Sequence, residues 1–171
     1  GIVGGIVLSI LILLYKAANP NVAIFGRVEG FVVYTNINRF DGLEQWGNLL
    51  VIRIDAPFAF VNIQTIKERI LHEIDKKSGD QRSVIIDASS VAYVDATAVS
   101  GLKDLLQTLQ EKKTEVLFAE VRGPVRDAFY KNGLVTSEKE IFFLTTDEAV
   151  KYCLSEAYQS RGKTFSNQYN R

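Results

Sequence analysis

Along the chain, apolar positions recur in three distinct rhythms. Gly1–Tyr15 is apolar without a break: it carries no charge, and only Ser9 and Tyr15 are polar. In Asn62–Lys77, Ile63, Ile66, Ile70 and Ile74 recur at spacings of three and four, which predicts an amphipathic helix. Short β-branched or aromatic runs lie between turn formers and predict strands. These are Phe31–Tyr34, Leu49–Ile54, Val84–Ile86, Val116–Ala119 and Ile141–Leu144. Ala98–Lys112 predicts a second helix, with Leu102, Leu105, Leu106 and Leu109 facing inward. Gly123-Pro124 starts a third helix that Asn132-Gly133 stops, and Thr146 caps a last one running to about Tyr158. Ser78-Gly79-Asp80 ends the first amphipathic helix, and Asn36–Asn48 reads as a loop.

Strands alternating with helices from Leu49 onward imply right-handed βαβ units. The expected fold is therefore α/β: a mixed, mostly parallel five-stranded sheet with about four helices, mainly on one face, preceded by an apolar helix end. The boundaries expected are 1–18 for that helix end, 19–30 for a linker opened by the Asn19-Pro20-Asn21 break, 31–158 for the domain, and 159–171 for a polar tail.

A helix needs about 20 apolar residues to span a bilayer, so Gly1–Tyr15 falls short unless its start is missing. Gly4-Gly5 and Ser9 suit a packed membrane helix, and Tyr15-Lys16 suits its interfacial end. The favoured expectation is the C-terminal end of a transmembrane helix whose Lys16 side faces the cytoplasm. A buried helix or a signal-peptide core are the alternatives. The absence of methionine, even at position 1, fits an excised piece and equally a processed or tagged chain.

Composition narrows the function. Twenty basic and twenty acidic side chains balance, which argues against a nucleic-acid partner held by bulk charge. One cysteine, Cys153, and one histidine, His72, exclude an intrachain disulfide, a cysteine-rich zinc site and multi-histidine chemistry within this chain. No catalytic residue set, metal site or cofactor is expected, and a small hydrolase has little support.

Candidate chemistry gathers at one sheet edge. Asp87 follows the third expected strand and Asp95 precedes a helix. Paired carboxylates could hold a metal or work as acid and base, but a helix cap explains Asp95 more simply. Thr97 stands in the first turn of that helix, where a phosphate would meet the helix dipole, opposed by Asp95. Gly123 and Arg126 could receive an anion, although a plain βα turn accounts for them and no phosphate-loop motif is present. Asp87, Asp95, Thr97, Gly123 and Arg126 thus form a candidate edge for a nucleotide or a partner protein. His72 falls off the isoleucine stripe, Cys153 reads as partly buried, and Trp46 marks either a contact surface or local packing.

The order of these motifs resembles the STAS domain that follows the last membrane helix of SulP-family anion transporters. Asn19-Pro20 through Gly26-Arg27-Val28-Glu29-Gly30 is similar to that family's linker, usually Leu-Gly-Arg-Val-Pro-Gly, from which Phe25 and Glu29 depart. Ile52–Asn62 resembles the family's strand-to-helix block, Ser83–Leu102 its Asp-Ser/Thr-Ser-Gly region, and Gly123-Pro124-Val125-Arg126 its later turn. The resemblance implies a cytoplasmic regulatory or interaction domain of a transporter of sulfate or a related anion. The implied partners are the membrane domain of the same polypeptide, a second copy in a homodimer, and a nucleotide or regulatory protein. The same fold occurs in bacterial anti-sigma factor antagonists, where a hydroxyl in the Asp-Ser-Ser-Gly region is phosphorylated. Here Asp95 is retained, Ala96 removes one hydroxyl, Thr97 keeps one, and Ala98 replaces glycine. The alternative function is therefore a soluble binding module switched by phosphorylation, with Thr97 as the modified residue.

Overall fold

The computed structural model describes residues 1–77, 82–135 and 141–155. Helix α1 (Ile2–Ala18) is followed by β1 (Val22–Arg27), β2 (Tyr34–Asn36), β3 (Leu49–Ile54), α2 (Ile63–Lys76), β4 (Ser83–Asp87) and α3 (Ala96–Glu111). Then come β5 (Glu115–Ala119), α4 (Gly123–Lys131), β6 (Phe142–Phe143) and α5 (Thr146–Leu154). One sheet runs in the order β2-β1-β3-β4-β5-β6. β1 is antiparallel to both neighbours, and β3 through β6 are parallel.

The sheet is buried on two sides, and strand alternation divides its residues between two cores. Leu50, Ile52, Ile54, Val84, Ile86, Val116 and Phe118 face α2, α3 and α4, where Ile66, Ile70, Leu102, Leu105 and Phe129 meet them. Leu49, Val51, Ile85, Leu117 and Ala119 face the other way, onto Ala149, Val150 and Cys153 of α5. β4 is buried at every position, as a central strand of a parallel sheet must be. The mostly parallel α/β class and the preference of helices for one face follow the sequence pattern.

Three expectations change. The sheet has six strands among the described residues, not five. The additional strand, β1, lies inside the segment expected as linker, with Ala23 and Ile24 buried between β2 and β3. Of Phe31–Tyr34 only Tyr34 lies in a strand, as the first residue of β2; Phe31, Val32 and Val33 are exposed in the connection from β1 to β2. Gly30 turns the chain there at φ 78°, and the Val28 N–H donates to the Val33 carbonyl at 2.8 Å. Apolar side chains attract a strand reading, but strand formation needs a partner backbone and a face to cover. Val22–Arg27 has both; Phe31–Val33 has only turn bonds to Val28 and no face to cover. The third change concerns α5: Thr145, not Thr146, caps it, accepting from the Glu148 N–H at 3.1 Å. Within the described residues α5 ends at Leu154, and β6 is confined to Phe142–Phe143. The stop at Ser78-Gly79-Asp80, the stretch toward Tyr158 and the tail 159–171 lie outside the described residues.

Helix α1 stands apart. None of its side chains is buried, although it is the most apolar helix of the chain. No helix among the described residues is long and apolar enough to cross a membrane. At about 1.5 Å per residue, seventeen residues reach about 25 Å, against about 30 Å of bilayer hydrocarbon.

Candidate functional site

Parallel strands end together, so the register fixes one edge. Arg53 pairs with Asp87, and Asp87 with Ala119. The connections to α2, α3 and α4 leave from this edge. β1 runs antiparallel to β3 and begins there, with Val22 opposite Ile54. The end of α1 is therefore delivered to the same edge as the sequence-predicted residues.

Asp87 is buried, and its carboxylate is used locally. One oxygen accepts from the Ser89 N–H at 2.9 Å and the other from the Thr146 hydroxyl at 3.4 Å. Asp95 caps α3: Oδ1 accepts from the Ala98 N–H at 2.8 Å, and Oδ2 accepts from the Phe60 N–H at 2.8 Å. Both oxygens of each acid accept a hydrogen bond, and no group of three or more possible metal ligands occurs among the described residues. The capping explanation of Asp95 holds, and it includes a second bond that spacing could not reveal.

Thr97 lies in the first turn of α3 with an exposed side chain, beside the capping carboxylate. Gly123 is the first residue of α4, after Arg122 as the cap residue. Arg126 turns to the core side of α4: its guanidinium lies over the Phe142 ring, 5.3 Å from the centroid, with Nε buried. No hydrogen bond or ion pair among the described residues joins Arg126 to Asp87 or Asp95. The five predicted residues thus share an edge but not a single constellation.

The remaining singled-out residues are structural or exposed. Trp46 packs 6.5 Å from Tyr34 over the α5 side of the sheet, and His72 is exposed on α2. Burial pushes the Cys153 thiol up to about 11, which makes it a poor nucleophile. On the same side, the Tyr34 hydroxyl donates to Asp147 at 3.1 Å, and Lys151 pairs with Asp147 at 2.6 Å. Lys151 chiefly, helped by Tyr34, holds the Asp147 carboxyl below its usual range against the opposing effect of burial. Burial, with Asp147 next, raises Tyr34.

Sequence reasoning missed the residues that hold α1 in place. Asn62 is 2% exposed, and its amide nitrogen donates to the Ala17 carbonyl at 3.2 Å and to the Pro57 carbonyl at 3.0 Å. Its oxygen accepts from the Ala59 N–H at 3.0 Å. Asn21 donates to Asp55 at 2.9 Å, Asp55 pairs with Arg53, and Arg53 reaches the Ser90 hydroxyl at 2.8 Å. An open cavity of about 190 Å³ lies beside this joint, bordered by Lys16, Pro20, Asp55, Asn62 and Tyr93. Asparagine just ahead of a helix reads from sequence as an ordinary cap; only its distant acceptor distinguishes it.

Comparison with known proteins places this geometry. Residues 42–149 match the family model described as STAS domain. The chain is 31% identical over 164 residues to probable sulfate transporter 4.2 of Arabidopsis thaliana, covering 90% of this chain and 24% of that protein. It spans about a quarter of the length of the curated relatives it matches. The inward-facing structure of the murine Solute Carrier 26 family member A9 anion transporter is similar at a TM-score of 0.79 and 16% identity. That match covers 88% of this chain and 25% of the transporter. The unphosphorylated anti-sigma factor antagonist SpoIIAA is similar at a TM-score of 0.51 and 18% identity, covering 63% of this chain and 89% of that one. At such identities both structures share the fold.

Proposed function

The chain belongs to the STAS domain family, and from that premise we propose that it is the cytoplasmic regulatory and interaction domain of a SulP-type secondary transporter of sulfate or a related inorganic anion. It carries the C-terminal end of that transporter's last membrane helix. The observation that carries this reading is α1: an apolar helix with no buried side chain, joined by defined hydrogen bonds to a folded domain. Water is a poor surrounding for such a helix, since each buried CH₂ is favoured by about 0.8 kcal/mol. Tyr15 and Lys16, at its end, suit the lipid headgroup level. The anion path lies in membrane helices outside this chain, so the domain's part is to regulate, to dimerise and to bind partners, a nucleotide among them. Membrane fractionation of the complete gene product, with uptake of labelled sulfate competed by bicarbonate, tests the reading. Sedimentation with membranes and saturable uptake are expected; a soluble product without uptake overturns it.

A second reading is a soluble, anti-sigma-antagonist-like module switched by phosphorylation. The exposed Thr97 hydroxyl in the first turn of α3 favours it. The two readings separate on one comparison. Thr97→Glu altering uptake by membrane-bound protein supports regulation of a transporter. Kinase labelling of Thr97 in a protein that never meets a membrane supports the module.

A further inference from the structure

We propose that the Asp55–Asn62 segment is a strap that couples the end of α1 to the N-terminus of α3, with Asn62 and Asp95 as its two anchors. The inference rests on the regulatory reading for its meaning, because it names the route by which the domain and the membrane helix would sense each other.

The strap lies between β3 and α2 and contains neither helix nor strand, yet it is tied at both ends. On the α1 side, the Ala17 carbonyl is one of the last carbonyls of a helix, which lack partners within it. Asn62, buried and forty-five residues away, supplies that partner. The same amide group fastens Pro57 and Ala59, so it clamps the strap and the helix end together. On the α3 side, Phe58 bridges Val94. The Phe58 N–H donates to the Tyr93 carbonyl at 3.1 Å, and the Asp95 N–H donates to the Phe58 carbonyl at 3.0 Å. Asp95 then divides its carboxylate between the Phe60 N–H of the strap and the Ala98 N–H of its own helix.

A parallel connection reinforces the first. The Asp55 N–H donates to the Asn21 carbonyl at 3.1 Å, and the Asp55 side chain links Asn21 to Arg53. Arg53 in turn reaches Ser90 in the β4–α3 connection. Both routes therefore start just around the end of α1 and finish just before α3.

Transmission follows from the cost of breaking these bonds. Moving α1 away from the domain would leave a buried amide donor unsatisfied, so the favourable response is for Asn62 to move with it. Asn62 then pulls on Ala59 and Pro57, and through Phe58 and Phe60 on the cap of α3. In the reverse direction, a phosphate on Thr97 would place negative charge beside Asp95. Like-charge repulsion would loosen the carboxylate's hold on Phe60 and release the strap from that end.

Hydrogen exchange on the complete gene product in detergent micelles tests the coupling without reference to transport. Asn62→Ala is expected to raise exchange about tenfold at the amides of Ala98 and Val99, in the first turn of α3 at the other end of the strap, while β3 and β4 keep their protection. Faster exchange confined to residues 17–20 and 57–62 would overturn the proposal. Should Asn62→Ala unfold the domain, Asp95→Ala decides from the other end. It should raise exchange at the Asn19 amide, which bonds to the Tyr15 carbonyl, and an unchanged Asn19 amide refutes the strap. A soluble protein that takes up neither sulfate nor bicarbonate but shows this reciprocity would overturn the transporter reading alone.

Discussion

Helix α1 presents Ile2, Ile6 and Ile10 outward along its whole length, whereas α2 buries Ile63, Ile66, Ile70 and Ile74 against the sheet and α3. The same residue type is used in two ways, and the neighbours decide which. In α2 the isoleucines alternate with Lys67, Glu68, Arg69 and Glu73, so one face is polar and the other seeks a core. In α1 no polar face exists, so no orientation against this domain could satisfy the helix. It leaves the domain, with Asn62 bonded to its end and Asn21, just beyond it, bonded to Asp55. The difference between the helices separates apolar surface that stabilises the domain from apolar surface that the domain leaves uncovered.

The largest effect that could break this comparison is at Ile70, which is fully buried. Ile70→Ala should destabilise the domain by about 3 kcal/mol in urea unfolding, whereas Ile10→Ala in α1 should leave the same transition within about 0.5 kcal/mol. Equal losses would show that α1 packs as core. Next, Leu11→Lys should disfavour membrane insertion of α1 by about 3 kcal/mol, read by glycosylation mapping, with no change in domain unfolding. A smaller effect probes how closely α2 is seated. A Cβ on Gly101 of α3 would approach Ile63 Cγ1 to 2.6 Å. Gly101→Ala should therefore cost about 1 to 2 kcal/mol, the clash outweighing the gain in helix propensity.

The smallest effect concerns α5, whose Asp147 bonds across to β2. The Asp147 carboxyl is lowered in the folded protein, chiefly by Lys151. Its contribution is present above the ordinary value of 3.8 and is lost as pH falls through the lower folded value. Because Lys151 is largely exposed, the contribution is about 0.5 kcal/mol. Melting curves of wild type and Asp147→Asn should therefore differ at pH 6 and converge in acid; a gap that widens in acid would reverse the sign of the argument.

Periodicity and alternation made much of this molecule legible. Stripes of three and four set α2 and α3, and strand runs beside turn formers set β3, β4 and β5. Asp95, ahead of a helix, announced its cap. β1 escaped notice because Val22–Arg27 contains Gly26 and stands in a segment that resembles a family linker, while the more apolar Phe31–Val33 competed for the assignment. The candidate edge was legible as a place but not as a set of contacts. Arg126 follows Gly123 at the start of α4, where an anion site would want a cation, yet its guanidinium lies over Phe142.

By itself the sequence determined the class of the sheet, the burial of its central strands and the unusual character of α1. These depend on local preferences and on which side chains water rejects, and both are written in consecutive residues. The tertiary structure alone decided that α1 and α3 meet through Asp55–Asn62. That meeting depends on hydrogen bonds between Asn62 and Ala17 and between Asp95 and Phe60, groups far apart in the chain. Such bonds are directional and short-ranged. No pattern along the chain encodes them until the sheet has brought its strand ends to one edge.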